Sequence, residues 1–342
     1  MPPEEAIPNR PTIRDVARAA GVSVAAASHA LNGKGRISEE RRRLVQQVAT
    51  ELGFRPSAAA RALSGKKLLS VGLLTNDKYG RFSFPIMAGI AEVLRPHGVA
   101  VLLCAVSDDA TDAKEVLDAL MEHRIDGLIV SGRRADLALP IDFSALKIPV
   151  VYALSKAPDG SHQILPDDKG GAVLATEALL RQGLSRLAHV TGAPNHLAAQ
   201  LRAEGFRSLA PSGAPVLFGE WSEIWGREAV SLLLDRADLV PHGIFCGSDQ
   251  IARGVIDALR DRDLRVPEDV CVVGFDNWDV VALSTRPPLS TIDQQLEELG
   301  RRAGQLVLDL SGGNPVKPGP VLVPCRLVER GSSSRNSVLQ TN

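Results

Sequence analysis

Beyond residue 68 the chain alternates short, continuously apolar runs with amphipathic helical segments, and this rhythm limits its fold more than any other feature. Strands are expected over 69–74, 100–105, 127–130, 150–153, 187–190, 215–218, 243–246 and 270–274. Helical periodicity fills intervals at 84–95, 112–121, 170–180, 202–209, 225–234 and 250–259. Runs apolar on both faces belong to buried parallel strands, and the helices between them are the crossovers that parallel pairing requires. About four such units fall before Ser155 and about four after it, so two doubly wound parallel-sheet subdomains are expected in tandem. Ligands of such sheets bind beyond the carboxyl ends of the strands.

Residues 10–55 read instead as three short helices. Thr12 with Asp15 forms a capping box for a helix over 13–20 that Gly21 stops; Ser23 caps a second over 24–31, ended by Asn32-Gly33. Ser38 opens a third, ended by Gly53. Two short helices joined by a tight Gly-containing turn are a helix-turn-helix arrangement. Residues 56–67 form a small-residue linker with latent helical preference, ending in a basic stretch.

The net charge of −1 argues against a polyanionic partner only until it is divided along the chain. Residues 1–67 hold twelve Lys or Arg against six Asp or Glu, which leaves 27 against 34 for the rest. A basic head on an acidic body is the pattern of a small module that binds polyanion while the remainder does something else.

Cys104, Cys246, Cys271 and Cys325 each sit in an apolar run without Cys-x-x-Cys spacing and read as small buried hydrophobes in a reducing compartment. The acidic, Pro-rich first residues resemble no secretory signal, and no run approaches the roughly 20 apolar residues that span a bilayer, so a cytoplasmic location without membrane contact is expected. No Gly-x-Ser-x-Gly elbow, Walker loop or His-Glu-x-x-His occurs, and the seven His are scattered. No catalytic residue, metal site or cofactor is expected.

The run over 12–38 (TIRDVARAAGVSVAAASHALNGKGRIS) resembles the DNA-binding head of the lactose/galactose repressor (LacI/GalR) family of transcriptional regulators. FRPSA at 54–58 and Arg61-Ala62-Leu63 resemble that family's hinge; VPEDV at 266–270, VGFD at 273–276 and PLSTI at 288–292 resemble its effector domain. The resemblance implies a flexible N-terminus over 1–11, a helix-turn-helix domain over 12–56, a hinge helix over 57–67, and a periplasmic-binding-protein-like effector and dimerisation domain over 68–330. Within the last, the N-subdomain is expected at about 68–155 plus 294–320 and the C-subdomain at about 160–290, with a disordered tail over 331–342. The implied function is that of a repressor binding a pseudo-palindromic operator as a homodimer under control of a sugar. The alternative is an activator or co-repressor-dependent regulator responding to a non-sugar metabolite such as a nucleoside or purine. An extracytoplasmic sugar-binding protein shares the body, but lacks a basic head.

A helix opening at Ser23 can enter the major groove with its first residues nearest the bases. Val24, Ala25 and His29 are the base-contact candidates: the first two can touch a thymine methyl, and His29 can donate to a purine acceptor. Ser23, Ser28, Asn32, Arg36 and Arg55 read as phosphate contacts that set register. Arg41 to Arg43 suit a solvated face as well as a phosphate contact. Leu63, an apolar residue in a basic linker, suits a minor-groove wedge; the resemblance implies that it intercalates at the operator centre from a hinge helix paired with its dimer mate. On the body, loops at the carboxyl ends of strands carry Asn76, Tyr79 and Arg81, then Ser131, Asp249 and Asp276, as effector-binding candidates. The resemblance adds Arg202, with Asp249 as its acidic partner, and Trp221 as a stacking platform. Trp225 and Trp278 are conspicuous because aromatic residues are scarce. The C-terminal residues lack heptads, so a dimer rather than a coiled-coil tetramer is expected.

Overall fold

The computed structural model describes residues 11–32, 37–54, 70–235 and 240–334, and divides into two units between Leu69 and Ser70. The first holds α1 (Ile13–Ala19), α2 (Val24–Asn32) and α3 (Glu39–Glu51). Local chemistry sets their ends. Thr12 donates its backbone N–H to Asp15 Oδ2 at 2.9 Å, Ser23 Oγ accepts from Ala26 N–H at 3.1 Å, and Ser38 Oγ accepts from Arg41 N–H at 3.4 Å. Gly21, with φ +62°, makes the turn between α1 and α2. The core is built largely of small residues, Val16, Ala17, Ala20, Ala27, Ala30, Val45 and Ala49, so that three short helices approach closely.

The described residues of the body form two six-stranded sheets. The first comprises β1 (Ser70–Thr75), β2 (Ala100–Ala105), β3 (Gly127–Ser131), β4 (Val150–Ala153), β5 (His162–Pro166) and β11 (Gly319–Val323), in the order β11-β5-β4-β3-β1-β2, all parallel. Around it lie α4 (Ser83–Leu94), α5 (Ala110–Glu122) and α11 (Leu296–Ser311). The second comprises β6 (Leu187–Thr191), β7 (Val216–Phe218), β8 (Gly243–Cys246), β9 (Cys271–Asp276), β10 (Ser290–Asp293) and β12 (Arg326–Val328), in the order β12-β10-β9-β8-β6-β7. Its helices are α6 (Asp168–Arg181), α7 (Leu197–Leu209), α8 (Glu223–Leu234), α9 (Asp249–Arg260) and the short α10 (Asp279–Ala282).

Both sheets reverse strand order beside their first strand, between β1 and β3 and between β6 and β8, and a crevice opens beyond the carboxyl ends at such points. The chain passes from one sheet to the other three times, at 166–168, 293–296 and 323–326. β12 pairs antiparallel with β10, departing from the all-parallel expectation. Pro324 and Cys325 alone separate β11, at the edge of the first sheet, from β12, at the edge of the second. α4 and α11 pack with Gly89 and Gly300 at the contact: a Cβ on Gly89 would stand 1.9 Å from the Glu297 carbonyl oxygen, and one on Gly300 2.1 Å from that of Ile86.

Three expected boundaries move. β5 belongs to the first sheet although it falls within the about 160–290 expected for the second subdomain, and the returning segment runs to Val323 rather than about 320. The expected disordered tail is ordered at its start. Ser332 accepts from Val272 N–H through its carbonyl oxygen (2.7 Å), its hydroxyl donates to Val272 O (2.7 Å), and Ser332 and Ser333 are buried. Cys246 and Cys271 are buried, whereas Cys104 and Cys325 are only half-buried, because β2 and the 323–326 crossing lie at sheet edges. No helix among the described residues is long and apolar enough to cross a membrane.

Candidate functional site

On the head, the periodicity of α2 separates two faces. Ala27 and Ala30 are buried against α1 and α3, and Ser23, Val24 (45% exposed), Ala25 and His29 face solvent, with Ser28 half-buried. Capping occupies Ser23 Oγ as an acceptor and leaves its O–H to donate. Of the basic run on α3, Arg42 and Arg43 lie 3.8 and 3.9 Å from Glu39, loose pairs of little energetic weight. The side chain of Asn32, together with Arg36, Arg55, Leu63 and the 57–67 hinge, lies outside the described residues.

In the body, the segments that follow β1, β3 to β8 and β10, with the end of β9, line a cavity of about 360 Å³ at the crevice between the two sheets. Its floor is Arg202, on α7, 5% exposed. Arg202 Nε and Nη2 both donate to Asp168 Oδ1 (2.8 and 2.6 Å), Nη1 donates to the Gly247 carbonyl, and Asp276 Oδ1 lies at 3.9 Å. The guanidinium lies 3.6 Å from the Phe275 ring centroid and 5.6 Å from that of Trp221. Burial pushes the Asp168 carboxyl up, against the pull of Arg202. Trp221 lies flat on the chain at Gly192, where a Cβ would come within 2.0 Å of the indole. Its indole N–H donates to His196 Nδ1 at 2.7 Å.

Two sets of contacts cross the cleft. From the first subdomain Arg81 donates to Gln250 Oε1 (2.9 Å) and pairs with Asp276, while its guanidinium stacks over Trp278, 4.5 Å from the centroid. From the loop after β3, Arg134 grips Asp136 through two bonds (2.9 and 2.7 Å) and approaches His196 Nε2 at 2.6 Å. Asp136 Oδ2 accepts from Leu197 N–H at 3.0 Å. Arg134 first, and then the Leu197 amide, hold Asp136 down at about 2 against the effect of burial. His196 is lowered, by burial and then by Arg134. Both groups facing its ring nitrogens are donors only. A neutral imidazole satisfies one of them and an imidazolium neither.

Of the eight effector-binding candidates, the structure brings Arg81, Arg202, Trp221 and Asp276 to the cavity wall. The other four lie elsewhere. Tyr79 is 92% exposed, and Asn76 and Ser131 are buried, with Asn76 Oδ1 and Ser131 Oγ lacking hydrogen-bond partners among the described residues. Asp249 sits behind the wall, accepting from Trp278 N–H (2.7 Å) and the Thr291 hydroxyl; burial, and then Asp276, push it up. The acidic partner of Arg202 is Asp168 rather than Asp249. Trp225 is packed against the core, its indole N–H donating to Thr191 O at 2.9 Å. Sequence reasoning missed Asp168, Arg134, Asp136 and His196 as wall residues. The doublet Asp167-Asp168 was a usable signal: Asp167 caps α6 through Gly170 N–H (2.9 Å), which leaves Asp168 free to turn inward.

Comparison with known proteins places both units. Residues 12–57 match the family model described as bacterial regulatory proteins, lacI family, and residues 176–333 that of the periplasmic binding protein-like domain. The ribose operon repressor of Halalkalibacterium halodurans is 31% identical over 334 residues, covering 95% of this chain and 99% of that protein. The HTH-type transcriptional repressor CytR of Escherichia coli is 30% identical over 329 residues, covering 94% and 96%. Among solved structures, the lac repressor dimer bound to operator and the anti-inducer ONPF superposes with a TM-score of 0.75 at 27% identity, over 95% of this chain and 99% of that one. The likeness to these repressors thus runs along nearly the whole chain, head and body alike, and the protein belongs to the LacI family as a DNA-binding transcriptional repressor with an effector-binding domain, not an enzyme.

Proposed function

We propose that the protein represses transcription as a homodimer on a short pseudo-palindromic operator and responds to a sugar or sugar derivative that occupies the cleft and holds its two subdomains closed. The observation that carries this reading is the wall of the 360 Å³ cavity: Arg–Asp pairs beside an indole, a set that hydrogen-bonds vicinal hydroxyls and stacks on a sugar's apolar face. The ribose operon repressor among its relatives, and an Enterococcus faecalis relative solved with bound ribose (28% identical, TM-score 0.63, 78% of this chain and 98% of that one), support the same class. Arg81, Arg202, Trp221 and Asp276 contact the effector, and Asp249 acts one layer behind by holding Trp278 and Thr291. On DNA, Val24, Ala25 and His29 read bases, and Ser23, Ser28, Asn32, Arg36 and Arg55 hold phosphates. Leu63 wedges the minor groove at the operator centre.

The test is a thermal-shift screen of the full chain against pentoses, hexoses, disaccharides and nucleosides. A sugar that binds the native state raises the melting temperature in proportion to the logarithm of its concentration above Kd, and the same sugar is expected to weaken binding to an operator selected from random duplex. A response to nucleosides alone would overturn the sugar assignment.

A further inference from the structure

Helices α5, α6, α8 and α9 each carry their own cap, the side chains of Asp109, Asp167, Ser222 and Ser248 accepting from the first turn. Helix α7 does not. Its N-cap residue is His196, whose side chain makes no capping bond, and the acceptor for Leu197 N–H is Asp136 Oδ2, contributed by the loop after β3 in the opposite subdomain. A carboxylate at this end also meets the positive pole of the helix. The helix matters because it carries Arg202, about a turn and a half further on, and because His196, its N-cap residue, accepts from the Trp221 indole.

We propose that Asp136 is a positioning residue that joins closure of the cleft to order in the effector wall, by capping α7 from across the cleft. The bond exists only while the subdomains are together. Closure therefore satisfies an otherwise orphaned backbone donor at the start of the helix that supplies Arg202, and opening releases the first turn of α7. Arg134 fixes the carboxylate for this task by occupying both its oxygens from the other side, and keeps it ionised well below neutral pH. The inference rests on the cleft being the effector site.

The experiment is amide-resolved hydrogen exchange on the full-length protein at pH 7, with no effector present. In Asp136→Ala, the Leu197 amide is expected to exchange roughly tenfold faster than in the wild type, while the Ser222-capped first turn of α8 and the β8 amides keep their wild-type rates. Asp136→Asn, whose amide oxygen can still accept from Leu197, is expected to restore most of the protection. An Ala variant with the wild-type Leu197 rate, or an Asn variant as fast as Ala, overturns the proposal. Since no sugar is needed, a cleft that bound none in the thermal-shift screen would leave this result standing.

Discussion

His196 stands between two donors, Trp221 Nε1 and Arg134 Nη1, with Asp136 and Glu220 as the nearby acids. Its pKa in the closed structure is lowered from 6.5, so the sign is that of a neutral-preferring group. Above pH 6.5 the closed form incurs no penalty; as pH falls below it, an open or unfolded form takes up a proton that the closed form resists, and closure weakens. Small-angle scattering is expected to show the wild type expanding between pH 7.5 and 5.5 and His196→Gln expanding less; equal expansion in both would refute the assignment. This residue was illegible in the sequence for the same reason as Arg134 and Asp136. Their partners lie some 60 residues away across the cleft, and loops carry no periodicity to announce such pairs. Arg202 and Trp221 were found through resemblance, and Arg81 and Asp276 because strand ends fix where loops open. Tyr79, Asn76, Ser131 and Asp249 share that topological position, and only side-chain direction separates them from the wall.

Helix α4 meets α11 through glycine, and the contact leaves no room for a methyl group. Gly89→Ala would place its Cβ against the Glu297 carbonyl, so the two helices must separate. The expected cost is about 1–3 kcal/mol, seen by calorimetry as a fall of roughly 3–8 °C in the melting temperature; an unchanged transition would mean that the pair slides without loss. At this scale the sequence was informative wherever an element carried its own signals. The head helices were legible from Thr12, Ser23, Ser38 and the glycines that stop them, and eight strands from their unbroken apolar runs. β5, β10, β11 and β12 were not: His162 and Gln163 interrupt the first, Ser290, Thr291 and Asp293 leave the second mostly polar, Gly319-Pro320 opens the third, and the fourth is three residues opening on Arg326. That β12 returns antiparallel to β10 follows from the path of the chain through the first sheet and back, which no pattern within the strand encodes.

For the whole molecule, charge is the property divided most sharply: the basic surplus lies in residues 1–67 and the acidic one in the rest. Binding of the full chain to mixed-sequence duplex is therefore expected to fall by roughly a hundredfold or more between 50 and 200 mM salt, as phosphate contacts release counterions. The body alone, residues 70–342, is expected not to bind. Fluorescence anisotropy checks both, and an affinity indifferent to salt would place the DNA contacts elsewhere than on the basic head. The three crossings between the sheets bear on how the chain is made. The first subdomain begins to leave the ribosome before the second, yet it lacks α11 and β11 until residues 296–323 have been synthesised, by which time nearly all of the second sheet has emerged. Until then the glycine face of α4 and one edge of the first sheet stay uncovered on a nascent chain, the kind of surface that chaperones hold. The subdomain translated first is the one completed late.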